Sequence, residues 1–177
     1  MRTINRIALS FAGASALVLA TAGSAVAAED GTTTTVTVNA GALSVTVPGT
    51  LTLSGAAPGS AASGTLAPVT VTDDTSDTIG WTATVSLSQF AVVDANGAPV
   101  VDGTPFTAAS FTYAPENIQS ASTDAYNAVT PAVGANTMTV TDPAGNNQVS
   151  WGADVSITVP KTATAGDYQA TLTHSVS

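Results

Sequence analysis

Apolar and polar residues alternate with a period of two over most of the chain, which is the pattern of half-buried β-strands. Thr and Val dominate these runs, and both residues favour a pleated surface that is covered on one side. The alternation predicts nine strands, at residues 33–38, 42–47, 50–54, 66–73, 81–88, 109–114, 136–142, 153–160 and 168–176.

Short turn signals, mostly Gly, Pro, Asn and Asp, separate these runs. Asn96-Gly97, with apolar residues on both sides, predicts a tight hairpin. Residues 116–128 could form one helical turn, but they lack a sustained 3.6-residue period. Regularly spaced short strands with such turns predict an all-β fold, a single-domain antiparallel β-sandwich, with a β-barrel as the second choice.

The first 28 residues have the pattern of a secretory signal peptide. Arg2 and Arg6 form a basic head, an apolar stretch follows, and Ala25-Val26-Ala27 matches a cleavage site. Because the apolar stretch is short for a membrane span, we expect cleavage after residue 27 or 28 and no membrane insertion of the mature chain. The remaining residues, 29–177, have the length of one domain.

The charge balance excludes several classes of partner. The whole chain has a formal charge of −9, and without residues 1–28 one lysine faces twelve acidic residues, which leaves −11. Proteins that bind nucleic acids or anionic lipids need cationic side chains, which this chain almost lacks. The chain also has no cysteine, so neither a disulfide framework nor a thiolate site is available.

Residues able to perform acid–base or nucleophilic chemistry are scarce. Beyond residue 28 the chain has a single histidine, His174, and a single lysine, Lys161. His174 lies in an alternating run, where packing is the commoner role, so we expect no enzymatic activity and no cofactor. Asp73, Asp74 and Asp77 are a weak candidate for Ca²⁺ binding, but their spacing is not that of an EF-hand, and a solvated loop is the favoured interpretation.

The aromatic residues are the candidate binding residues. In carbohydrate sites, exposed aromatic faces stack on sugar rings, whereas core aromatics only pack. Trp81 shares a strand face with apolar neighbours, which favours the core, and Trp151 has a turn-rich setting, which favours exposure. Tyr168 begins the last predicted strand, and Tyr113 and Tyr126 are secondary candidates.

Two segments resemble the WxL domain of Gram-positive surface proteins. Residues 79–90, IGWTATVSLSQF, have a Gly-Trp pair at the start of a strand, where that family has a Trp-x-Leu motif. Residues 168–176, YQATLTHSV, are similar to the Tyr-x-x-Thr-Leu-Thr-Trp-x-Leu motif at the C-terminus of the family. The sequence departs from the two motifs at three positions, Ala83, His174 and Val176.

This resemblance, which extends over about residues 40–177, implies a divergent member that attaches non-covalently to the cell wall through peptidoglycan, often beside other surface proteins. We therefore expect a secreted, non-catalytic protein of the Gram-positive cell surface that binds peptidoglycan or another wall glycan. The departures bear on wall binding more than on the fold, because Ala and Val are apolar like the leucines they replace and preserve the alternation of apolar and polar positions. The alternative is an assembly component that joins other surface proteins through its strand edges, without a glycan ligand.

Overall fold

The computed structural model describes residues 33–39, 41–121 and 129–177. The chain divides into two units, Met1–Thr37 and Val38–Ser177. The described residues of the first unit form neither helix nor strand. The predicted signal peptide and the predicted cleavage position lie outside the described residues. In the part of the chain that the structure describes, no helix could cross a membrane.

Strands are the regular elements of the second unit. Its described residues contain no helix and ten strands. In chain order these are β1 Leu43–Thr46, β2 Ala61–Asp73, β3 Gly80–Leu87, β4 Ala91–Val93, β5 Ser110–Ser120, β6 Ala132–Gly134, β7 Thr137–Thr141, β8 Asn147–Thr158, β9 Asp167–Gln169 and β10 Leu172–Val176.

The strands form two four-stranded antiparallel sheets and one short pair. The first sheet has the order β1-β2-β8-β5, the second sheet has the order β10-β3-β7-β6, and β4 pairs with β9. None of these sheets closes into a barrel. The prediction of an all-β antiparallel sandwich is therefore confirmed over the described residues, and the barrel is not.

The inward faces of the two sheets share one hydrophobic core. Alternation along β2, β3, β7 and β8 directs every second side chain inward, as the period of a strand requires. The largest fully buried members are Trp151, Met138, Val69, Val71, Val140 and Val149. A second, smaller cluster, centred on Ala62, Phe90 and Ile157, lies beside it.

Several strand predictions differ from the structure. Residues 33–38 and 50–54 are not strands, although the Ser54 N–H donates to the Ser63 carbonyl at 2.8 Å beside β2. The predicted strand 168–176 is divided into β9 and β10, because the chain passes from the pair β4-β9 into the second sheet. Residues 116–120 continue β5 instead of forming a helical turn.

The predicted turn at Asn96-Gly97 is present. Asp94 and Ala98 share a backbone hydrogen bond of 2.9 Å, and Gly97 has a φ of +79°, a conformation that glycine adopts without strain. The Asp94 carboxylate accepts the N–H groups of Asn96 and Ala98 at 2.8 and 2.9 Å. These backbone donors, that of Ala98 foremost, hold the pKa of Asp94 below its ordinary value.

A buried chain of hydrogen bonds connects the two sheets at one end of the core; we call it the Asn147 link. The Trp81 indole N–H, on β3, donates to Asn147 Oδ1, on β8, at 2.9 Å. Asn147 Nδ2 donates to Asp73 Oδ2, on β2, at 2.9 Å. The other Asp73 oxygen accepts the Thr75 hydroxyl at 2.6 Å and the Thr75 N–H at 3.1 Å. Each of these buried polar groups thus has a partner, as burial requires.

Replacement of Asn147 by alanine tests this link. Asn147→Ala leaves the Trp81 indole N–H and one Asp73 oxygen without partners at a site where Asn147 is fully buried. Because each unsatisfied buried polar group costs about 1–3 kcal/mol, we expect the free energy of unfolding to fall by about 2–4 kcal/mol. Urea unfolding followed by tryptophan fluorescence measures the loss.

The matched control is Asn96→Ala, which truncates an exposed amide in the hairpin turn. Surface substitutions of this kind usually change stability by less than about 0.5 kcal/mol. Equal decreases in the free energy of unfolding for the two variants would show that the Asn147 link stabilises the fold no more than an exposed amide does.

Candidate functional site

Both tryptophans belong to the core. Trp81 is 3% exposed and Trp151 is 1% exposed. The prediction that Trp81 packs in the core is confirmed, and the prediction that Trp151 is exposed is wrong. Trp151 lies in the middle of β8, where it alternates inward with Val149 and Ala153. The next residue, Gly152, lies within the same strand, between β2 and β5, so the predicted turn-rich setting of Trp151 is a central strand.

Tyr113 is also buried, and with Trp151 it forms a second connection between the sheets, which we call the His174 link. The Trp151 indole N–H donates to the Tyr113 hydroxyl at 2.8 Å, and both residues belong to the first sheet. The same hydroxyl is hydrogen-bonded at 3.1 Å to Nε2 of His174, which lies on β10 of the second sheet. The Tyr113 and His174 rings meet edge to face, with centroids 5.5 Å apart. Tyr113 therefore contacts other core residues and does not present a stacking face.

His174 is held in a partly apolar environment. Its Nδ1 is buried and has no hydrogen-bond partner among the described residues. The doubly protonated ring would carry N–H groups on both nitrogens, so it could not accept a bond from the Tyr113 hydroxyl at Nε2 and would have no acceptor for its Nδ1–H. Burial accordingly lowers the pKa of His174 and raises the pKa of Tyr113, the latter opposed by the bond from Trp151.

Tyr168 is the predicted binding residue that remains partly accessible. It is half-buried on β9, and its hydroxyl donates to the Thr164 carbonyl at 3.0 Å. Its ring meets Phe106 edge to face at 4.7 Å, and Phe106 stacks on Phe90 at 4.9 Å. These three rings form an aromatic cluster that the sequence did not predict, since Phe90 and Phe106 lie in separate turn-rich segments.

The aromatic cluster lines a groove of about 970 Å³, which we call the aromatic groove. Its walls are the segments 47–58 and 163–172. The core side chains Leu66, Val155 and Ile157 also contribute to its surface. Its volume is within the range of roughly 300–1,000 Å³ found for small-molecule sites.

The polar lining of the aromatic groove is nearly free of charge. Among the described residues that line it, Asp167 is the one carboxylic acid, and none is a lysine or an arginine. Hydroxyl groups are its most frequent polar side chains, from Thr50, Thr52, Ser54, Thr164 and Thr171. Apolar rings beside hydroxyl groups suit a ligand that has both apolar faces and hydroxyl groups and carries no negative charge.

The acidic cluster at 73–77 lacks the arrangement of a calcium site. The Asp73 carboxylate is buried and bonded to Asn147 and Thr75, whereas Asp77 is exposed and accepts the Ile79 N–H at 3.1 Å. Within the described ranges, no three or more acidic or histidine side chains come together as a metal-binding group. Asp73 is thus a structural residue of the Asn147 link.

The predicted binding residues do not converge on one surface. Trp151 and Tyr113 meet in the His174 link, Trp81 belongs to the Asn147 link, and Tyr168 lines the aromatic groove. Tyr126 lies outside the described residues. Alternation along a strand indicated which aromatics could face inward, but no sequence signal brought Phe90, Phe106 and the segment 47–58 to Tyr168.

The His174 link makes stability depend on pH. Below about pH 6.5 the histidine of the unfolded chain takes up a proton, while the folded state, in which the pKa is lowered, resists it. The unfolded state then binds more protons, so we expect the free energy of unfolding to decrease as the pH falls from 7 to about 5.5. Urea unfolding across this range measures the slope.

His174→Gln should remove most of this slope, because His174 is the only histidine in the chain. The same fact allows a direct measurement, since a proton NMR titration shows one histidine ring. A pKa at or above the value of an unstructured histidine would contradict the described environment of the ring.

Comparisons of the chain with models of known protein families, with curated proteins and with solved structures find no match in any of the three.

Proposed function

We propose that this protein is a secreted, non-catalytic component of the Gram-positive cell surface that associates non-covalently with the cell wall, with peptidoglycan as its ligand. The aromatic groove is the binding site. The observation that carries the proposal is the cluster of Tyr168, Phe106 and Phe90 beside a lining rich in hydroxyl groups. The signal-peptide pattern of residues 1–28 supports export.

The chemistry of the groove favours a glycan over other wall polymers. Sugar rings have apolar faces that pack on aromatic side chains, and their hydroxyl groups form hydrogen bonds with Thr and Ser. A polyanionic polymer would find no lysine or arginine among the described residues that line the groove and would meet Asp167. The charge of −9 for the whole chain disfavours such a polymer as well.

The positions of the motif residues agree with this site. Tyr168, Thr171 and Leu172, which match the C-terminal motif of the WxL family, all line the aromatic groove. The two motif segments lie on neighbouring strands, and two of the departures, Ala83 and Val176, are directly opposite each other in the register of β3 and β10. Ala83 and Val176 both stand where the family motifs have leucine. The two smaller residues therefore occupy neighbouring positions in the sheet, and both are apolar.

A non-catalytic role is supported by the surroundings of the residues that could act in chemistry. The His174 ring bonds to Tyr113 in the His174 link, and Lys161 is exposed. A hydrolase would need a positioned acid or base facing a substrate. His174 lines the aromatic groove, but its Nε2 is bonded to the Tyr113 hydroxyl and its Nδ1 is buried, so we assign neither it nor Lys161 such a role.

Co-sedimentation with purified Gram-positive cell-wall sacculi tests glycan binding. Tyr168→Ala removes the accessible ring and is expected to weaken binding about tenfold or more, which is about 1.4 kcal/mol. Tyr168→Phe keeps the ring and loses only the hydroxyl bond to Thr164, so it should bind nearly as well. Val101→Ala, which changes a 97% exposed side chain away from the groove, is the control.

Two results would overturn the proposal. The wild-type protein could stay in the supernatant at every salt concentration and pH, or Tyr168→Ala could bind like Val101→Ala. Circular dichroism of each variant establishes that it is folded, so that a loss of binding is assigned to the groove.

Binding to whole walls should also depend on salt. The acidic protein and the anionic polymers of the wall repel each other, and the screening length falls to about 8 Å at physiological ionic strength. We expect the pelleted fraction to increase between low and physiological salt. Sacculi stripped of anionic polymers should show little change, and a decrease with salt would indicate an ionic mode of binding instead.

A second candidate function is the assembly of surface complexes without a glycan ligand. The observation that favours it is β10, an edge strand of the second sheet with no strand on its other side among the described residues. An unpaired edge accepts an extended segment by β-strand addition. A protein that fails to bind sacculi but captures itself or another protein at this edge would have this function.

A further inference from the structure

The edge of β10 that faces away from β3 presents free backbone groups; we call it the outer edge of β10. Ser177 and Thr82 exchange two backbone hydrogen bonds, and the Ser88 N–H donates to the Thr171 carbonyl. Bonded and non-bonded pairs alternate in an antiparallel ladder, so the backbone groups of Leu172, His174 and Val176 point away from β3. Among the described residues, these groups have no backbone partner.

The side chains of β10 form two rows of different character. Leu172, His174 and Val176 are half-buried and face the first sheet, whereas Thr173 and Ser175 are exposed. A strand that added to the outer edge would continue the inner row with apolar residues and the outer row with hydroxyl residues.

Residues 33–38, TTTVTV, have the matching pattern. Their alternation predicts a strand, yet the structure places no strand there and leaves Val36 and Val38 each 80% exposed. The segment contains no proline, glycine or charged residue. Segments of this composition pair readily with free sheet edges when nothing protects them.

Charge also favours this pairing. Neither residues 33–38 nor residues 171–177 contain an acidic side chain, and their one titratable side chain, His174, has its pKa lowered by burial. Two copies of a chain with a charge of −9 repel each other over most of their surfaces. Contact through these two segments places no acid directly opposite another.

We propose that residues 33–38 of one copy add as a strand to the outer edge of β10 in a second copy. Val36 and Val38 then extend the inner row, and Thr35 and Thr37 extend the outer row. The added segment and the outer edge of β10 are different surfaces of the protein. Two copies can therefore exchange their segments in a closed dimer, or each copy can bind the next in an open chain. This inference develops the assembly function stated above and does not depend on glycan binding.

Sedimentation velocity across a concentration series tests the association. The wild-type protein is expected to increase in mass with concentration, and Val36→Lys with Val38→Lys should stay a monomer, because a charge on the inner row would be buried unpaired. Val100→Lys with Val101→Lys is the matched control, since these valines are 42% and 97% exposed elsewhere and the charge change is the same. The control should associate like the wild type.

Cysteine pairs identify the contact, because the chain has no cysteine of its own. Thr35→Cys protein is mixed with Thr173→Cys or Ser175→Cys protein and oxidised gently. A disulfide-linked heterodimer is expected with one or both acceptors, and Thr35→Cys mixed with Val101→Cys should not form it efficiently. A variant with both cysteines in one chain distinguishes pairing within a copy from pairing between copies. Pairing within a copy gives an oxidised monomer, and pairing between copies gives disulfide-linked oligomers.

The inference is overturned if the wild type remains a monomer at all concentrations, if both lysine double variants associate equally, or if the disulfide forms only within a single chain. The sacculus assay separates it from the proposed function. Val36→Lys with Val38→Lys leaves the aromatic groove intact and should still bind sacculi, whereas Tyr168→Ala should still associate with itself. A failure of self-association therefore leaves glycan binding open to test, and a failure of glycan binding leaves self-association open to test.

Discussion

The central constraint on this structure is the need to satisfy polar groups buried between two sheets that no disulfide joins. Each tryptophan brings a large apolar ring into the core together with one N–H that requires an acceptor. Trp81 finds Asn147, and Trp151 finds Tyr113. Because each chain of bonds begins in one sheet and ends in the other, it fixes how the sheets face each other as well as satisfying the donor.

The two links differ in their response to the surroundings. The Asn147 link ends at Asp73, whose carboxylate accepts bonds from the Asn147 amide and from Thr75, so each of its oxygens has a donor. The His174 link ends at an imidazole whose second nitrogen is buried without a partner among the described residues. The His174 link is therefore the one that is sensitive to pH. It lies beside the proposed binding surface, since His174 also lines the aromatic groove.

Burial of both tryptophans removes the two largest aromatic rings from the surface. The half-buried rings of Tyr168 and Phe106 meet at the junction of the short pair β4-β9 and the main sandwich. Just after this junction, β10 contributes side chains to the groove and, on the side away from β3, an unpaired backbone edge. The proposed glycan site and the proposed self-association would thus use different parts of one strand, the first its side chains and the second its main chain.

The sequence alone determined the fold class, most of the strands and the position of Trp81, because the two-residue period of a half-buried strand is a local property. It also determined the absence of cysteine and the scarcity of cations. Only the tertiary structure decided that Trp151 is buried, that Phe90 and Phe106 join Tyr168, and that residues 33–38 and 50–54 are not strands. Each of these depends on which distant segment lies opposite. A strand forms only where a partner edge is available, and a ring is exposed only where no second sheet covers it, so the local pattern could not decide them.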